Sequence, residues 1–165
     1  MIKEIDKKLR FDSKGFSLSE LLVAILIVSI MTIALTAGVS ASLRVYNEAV
    51  QHAEERTLLS TVAEAVMTEL RNARDPQISG TDVTFTSLNY GPDVSFSVGA
   101  DGKMKLAGKD LIGDGSYIKG KIKLDGDKAN TYVEYDKDTG IFHVKLTCAG
   151  SGESREFSIR PMAES

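Results

Sequence analysis

Between Leu21 and Leu43 the chain carries no charged residue over 23 consecutive positions. As a helix, such a run is about 34 Å long, enough to cross a hydrocarbon core of about 30 Å. The segment can span a membrane, and the rest of the fold has to be arranged around it. Ahead of it, Lys3, Lys7, Lys8, Arg10 and Lys14 outnumber Glu4, Asp6 and Asp12, while only Arg44 and Arg56 occupy the first stretch beyond. Positive charge before an apolar run tends to stay in the cytoplasm, so the expected orientation is a single pass, N-terminus in and C-terminus out.

The helical pattern continues past the uncharged run. Leu43, Tyr46, Val50 and Ala53 recur at spacings of three and four, as do Leu59, Val62, Val66, Leu70 and Ala73. Glu48, Gln51, Glu54, Glu55, Arg56, Glu64, Glu69 and Arg71 fall between them, so this half has one apolar stripe and a solvated remainder. Tyr46 fits the stripe with its ring buried and its hydroxyl on a partner or water. No proline precedes Pro76, and the residue before a proline is a natural helix end. One helix from about Phe16 to Arg74 is predicted, with Gly38 as its weak point.

Beyond Pro76 the period becomes two. Strands are predicted at Asp82–Ser87, Asp93–Val98, Lys103–Leu106, Tyr117–Leu124, Thr131–Asp136, Ile141–Thr147 and Arg155–Arg160. Turn residues separate them at Ala100–Gly102, Asp125–Asp127, Lys137–Gly140 and Ala149–Gly152. Strands this close in sequence pair antiparallel, because parallel pairing needs long crossovers. The expected class is α+β: a long N-terminal helix packed on a C-terminal antiparallel sheet.

Composition narrows the function. A net charge of −3 without a basic cluster gives no expectation of a specific nucleic-acid partner. Cys148 is the single cysteine, so there is no intramolecular disulfide; it shares a strand face with Leu146 and reads as core. The two histidines, His52 and His143, stand apart, and no metal-ligand spacing, nucleophile elbow or phosphate loop is present. No catalytic residue, cofactor or metal is expected. The acidic turns Asp125-Gly126-Asp127 and Asp136-Lys137-Asp138 do not fit the twelve-residue calcium loop and are explained as hairpin turns.

The residues at the edge of the apolar run carry a further signal: Lys14-Gly15-Phe16-Ser17-Leu18-Ser19-Glu20-Leu21-Leu22. This stretch resembles the signal of type IV prepilins and of the pseudopilins of secretion and competence systems. In that family a basic residue and a glycine precede the cut, phenylalanine opens the mature chain and glutamate is its fifth residue. Lys14, Gly15, Phe16 and Glu20 match those positions. Ser19, where many members have an aliphatic residue, and Ser17 in place of threonine depart from the pattern. The absence of a proline in the membrane helix and of a C-terminal disulfide loop resembles the disulfide-free pilins of Gram-positive bacteria and some pseudopilins.

The resemblance implies a leader at 1–15, an apolar transmembrane and filament-core helix at 16–43, its amphipathic continuation at 44–75 and a sheet domain at 76–165. It implies cleavage between Gly15 and Phe16 by a prepilin peptidase that recognises Lys14 and N-methylates Phe16. Further partners would be the cytoplasmic membrane, an assembly platform protein and other pilin or pseudopilin subunits in a cell-surface filament. Glycine offers no side chain at the scissile bond, so an enzyme can approach the backbone closely. A charge deep in hydrocarbon costs about 2.5–3.5 kcal/mol on insertion scales, and Glu20 can offset that of the Phe16 amine on an adjacent subunit.

Two other readings use the same residues. Ser17-x-x-Glu20 is also a capping box. Val39-Ser40-Ala41 also fits the cleavage site of an ordinary secretory signal, which would make the chain a secreted or membrane-anchored binding module. Against that, Glu20 touches the apolar core and the amphipathic register runs straight through the supposed cut.

Overall fold

The computed structural model describes residues 17–162 except Thr81 and Lys121, and, of residues 118–120, the backbone alone. The chain divides into two units, one ending at Asn47 and the other beginning at Glu48. Helix α1, Leu18–Arg71, contributes to both.

In the first unit every described residue is exposed. In the second, α1 buries Glu55, Leu58, Leu59, Val62, Ala63, Val66 and Leu70, spaced by three and four as a single face. The predicted positions Leu59, Val62, Val66, Leu70 and Ala73 are therefore core, whereas Leu43, Tyr46, Val50 and Ala53 are exposed, Tyr46 by 66%. The stripe continues in sequence beyond the point where this chain's own core covers it. Glu55 corrects the expectation in the other direction. Assigned to the solvated face, it is only 2% exposed and accepts a hydrogen bond from Gln51 Nε2 at 3.0 Å, with His52 Nδ1 at 3.5 Å from its other oxygen.

The helix ends at Arg71, three residues short of expectation. Asn72 N and Ala73 N close back on the carbonyls of Glu69 and Leu70, both at 3.2 Å, and Met162 N donates to the Arg71 carbonyl at 2.8 Å. Those bonds satisfy acceptors that a helix end leaves open. The freed residues form an unpredicted strand, β1, Arg74–Ser79, antiparallel to β2, Asp82–Ser87. Asp75-Pro76 falls in a register shift between Arg74 and Gln77, with Asp75 at φ 49°. β1 is an edge strand, where a proline is tolerated because its missing N–H faces no neighbour.

The antiparallel pairing holds, but as three three-stranded sheets among the described residues and not one. The first orders β1-β2-β3, with β3 at Gly91–Val94. The predicted strand Asp93–Val98 is broken at Ser95, and its second half, β4, Phe96–Val98, joins β5, Met104–Leu106, and β6, Lys109–Asp110. The third sheet orders β7, Tyr132–Asp136, β8, Ile141–Thr147, and β9, Ser154–Ile159.

The predicted strand Tyr117–Leu124 does not form. A 3₁₀ helix spans Asp114–Gly120, and Leu124 makes only an isolated bridge to Cys148. Tyr117 is 2% exposed, and its hydroxyl accepts the Met104 N–H at 2.8 Å, which anchors the turn against β5. Burial still alternates at Ile122 and Leu124, and Leu124 N donates to the Gly102 carbonyl at 2.9 Å. Gly102 has φ 75°, and a side chain there would collide with Lys123, so this crossing requires glycine.

The core lies between the buried face of α1 and all three sheets. Phe85 of β2 stacks near Phe96 of β4 at 5.5 Å and meets Phe142 of β8 edge-on at 6.3 Å, and Tyr135 of β7 lies 4.8 Å from Phe142. Aromatic contact of this kind adds about 0.5–1.5 kcal/mol per pair beyond area burial and joins sheets that share no ladder. Glu69 fastens the helix to the β2–β3 turn, accepting from Ser87 Oγ and Asn89 Nδ2, both at 2.8 Å.

Candidate processing and assembly site

Lys14, Gly15 and Phe16 lie outside the described residues. Of the residues expected to act in assembly, Glu20 is placed, in the first turn of α1. Ser17 N donates to Glu20 Oε2 at 2.9 Å, and Glu20 N donates to Ser17 Oγ at 3.3 Å. This reciprocal pair is the capping box read from the sequence, satisfying two of the donors that a helix start leaves open. Ser19 Oγ lies 2.7 Å from Ser17 Oγ, so the departure from an aliphatic residue at that position adds a hydroxyl to the cap. Glu20 is exposed, and among the described residues its Oε1 has no donor. Capping by one oxygen therefore leaves the other open to a cation from outside.

The helix that follows is long and apolar enough to cross a membrane, and none of its most apolar stretch is buried. Leu21, Leu22, Ile25, Leu26, Ile30 and Ile33 are each at least half exposed. Its hydroxyls are already satisfied. Ser29 Oγ donates to the Ile25 carbonyl at 2.7 Å, Thr32 to Val28 and Thr36 to Thr32 at 2.8 Å, and Ser40 to Thr36 and Ser42 to Gly38 at 2.9 Å. An unpaired polar group in hydrocarbon costs several kcal/mol, and bonding to the carbonyl four residues back removes that cost. Among the described residues nothing lies within 4 Å of where a Gly38 side chain would begin, so this glycine answers to no contact with them.

In the second unit the acidic turns use their carboxylates locally. Asp136 accepts from Thr139 Oγ1 at 2.6 Å and from Asp138 N at 2.9 Å, which holds its pKa below the usual aspartate value. Asp125 accepts from Asp127 N at 3.0 Å and Asn130 Nδ2 at 2.9 Å, and Asp127 from Ala129 N at 3.0 Å. Cys148 is 1% exposed, and burial together with the carboxylates of Glu55 and Glu153 raises its thiol to about 11. A thiol so protonated is a packing group, not a nucleophile. Lys103 bridges Asp110 at 3.2 Å and Asp114, and both partners raise its pKa.

A capped apolar helix with an acid in its first turn, followed by an α+β head, is a pilin-like arrangement. Residues 10–36 match the prokaryotic N-terminal methylation motif. The chain thus carries a type IV prepilin-like signal, and the matched segment contains every residue expected from its sequence to direct processing and assembly. No curated protein and no solved structure matches the chain.

Proposed function

We propose that this protein is a structural subunit, a pilin of the minor kind, of a type IV pilus or related pilus-like filament. It is a building block and not a catalyst. The observation that carries the reading is the methylation motif at 10–36, set on a helix whose apolar residues are left exposed by the chain itself. Such a surface needs lipid or other helices around it.

A prepilin peptidase cuts between Gly15 and Phe16, with Lys14 in the recognised leader, and the new Phe16 amine is methylated. The precursor waits in the cytoplasmic membrane, N-terminus inside, until the helix passes into a bundle with other subunits at the cell surface. There the open oxygen of Glu20 pairs with the Phe16 amine of a neighbour. The pair offsets the burial of both charges and fixes axial register, a role that buried charge can serve.

Sequencing and mass measurement of the protein recovered from cells test this. The expected species begins at Phe16 and carries one added methyl group. A start at Met1 or at Ser42 overturns the reading. In the same cells Glu20→Ala is cleaved normally but falls at least about tenfold in the sheared filament fraction, as loss of a buried charge pair of a few kcal/mol requires.

A further inference from the structure

Three strands end their ladders in one place. Among the described residues β4 is bonded to β5 alone and β7 to β8 alone, while β2 meets β3 only from Phe85 onward. Between them lies a slot of about 420 Å³, lined by consecutive residues 95–98 on one side, 131–134 on another, and by Val83. Successive side chains of a strand point to opposite faces. A cavity that touches consecutive residues therefore meets the strand's edge, not one face.

The register shows which main-chain groups face that edge. Ala107 N donates to the Ser95 carbonyl at 3.4 Å and Gly99 N to the Lys103 carbonyl at 2.9 Å. Bonding direction alternates along an antiparallel ladder, so the N–H and C=O groups of Phe96 and Val98 point away from β5. On β8, Cys148 N donates to the Glu153 carbonyl on the β9 side at 2.8 Å. By the same alternation Lys145 and His143 bond toward β7, engaging Tyr132 and Glu134. Val133 between them faces outward. Unpaired strand edges are templates for another strand. Asp82 and Lys128 at the slot pair with each other at 2.5 Å, whereas Glu134 is exposed and has no partner among the described residues.

We propose that this slot is a docking site for an extended peptide of a partner protein, taken up as an added strand with a basic side chain set against Glu134. Main-chain bonds to the open edges supply affinity, and the unpaired carboxylate selects the charge. The volume is at the small end of the roughly 300–1,000 Å³ typical of ligand sites, fitting a few residues. The proposal goes beyond the filament reading, and its test needs no filament.

The test uses the full chain in detergent micelles and a labelled pentapeptide of alternating valine and lysine, capped at both ends. Saturable binding is expected. Methylating alternate backbone amides of the peptide weakens it about tenfold, the value of one or two hydrogen bonds. Val98→Pro, which removes an N–H that has no ladder partner among the described residues, does the same. Glu134→Gln weakens binding about threefold, as an exposed ion pair would. The proposal is overturned by absence of binding, or by equal binding of the methylated peptide, which marks an apolar pocket. Self-association that Val98→Pro abolishes also overturns it, because it marks a second copy as the occupant. Should Val98→Pro misfold, the methylated peptide and Glu134→Gln still decide.

Discussion

At the scale of single residues, the polar groups that matter most are those tying distant stretches together. Glu69 receives both Ser87 and Asn89 across the helix–sheet boundary. Hydrogen bonds to a charged group contribute about 1.5–3 kcal/mol, and Glu69→Ala should lower unfolding stability by about 2 kcal/mol, read from the denaturant midpoint. Asp136 has its pKa lowered, chiefly by Thr139 Oγ1. A lowered folded-state pKa means that its stabilisation is present above the unfolded pKa of about 3.9 and is lost as pH falls through the folded value. Asp136→Asn should therefore flatten the acid side of a melting-temperature profile between about pH 5 and pH 2. Cys148 was legible as core from its alternation with Leu146. Glu55 was not, because nothing in a helical pattern marks the one glutamate that the folded chain covers. That depends on where the β8–β9 turn lands, through contacts such as Arg56 Nε to Glu153 at 2.8 Å.

At the scale of elements, legibility followed how strongly an element is constrained on both sides. β8 falls at its predicted bounds, Ile141–Thr147, because it is the central strand of its sheet and alternates cleanly. Tyr117–Leu124 alternates too, but Gly120 interrupts it, and Tyr117 gains more by burying its ring and capping Met104 N than by joining a ladder. Alternation reports burial on one side; it does not report a neighbour to bond with. The break at Ser95 was invisible for the same reason, since both halves of the predicted strand alternate and only the third dimension assigns them to different sheets. The buried face of α1 carries the expected Leu59, Val62, Val66 and Leu70, and Ala73 is buried just beyond the helix end. Leu70 is fully buried, so Leu70→Ala should cost about 2–5 kcal/mol, measured by chemical denaturation.

At the scale of the whole molecule, the core draws on α1 only from Glu55 onward, and the exposed apolar residues are concentrated before that point. A chain beginning at Glu48 should therefore stay folded and monomeric in plain buffer, with a cooperative melt, while the full chain requires detergent or membrane. Aggregation of the shorter chain during size-exclusion chromatography would show that the head leans on the helix ahead of it. The processing signal was legible from the sequence, because a peptidase must read it locally. The slot between strand edges was not, because it exists only where three separately paired sheets meet.

The row of hydroxyls folded back onto their own helix has a dynamic implication under the proposed function. A segment with no polar debt to its surroundings exchanges lipid tails for neighbouring helices, or the reverse, with little change in enthalpy. Under that proposal the pairing of Glu20, in the first turn of the helix, sets how readily a subunit leaves one surrounding for the other.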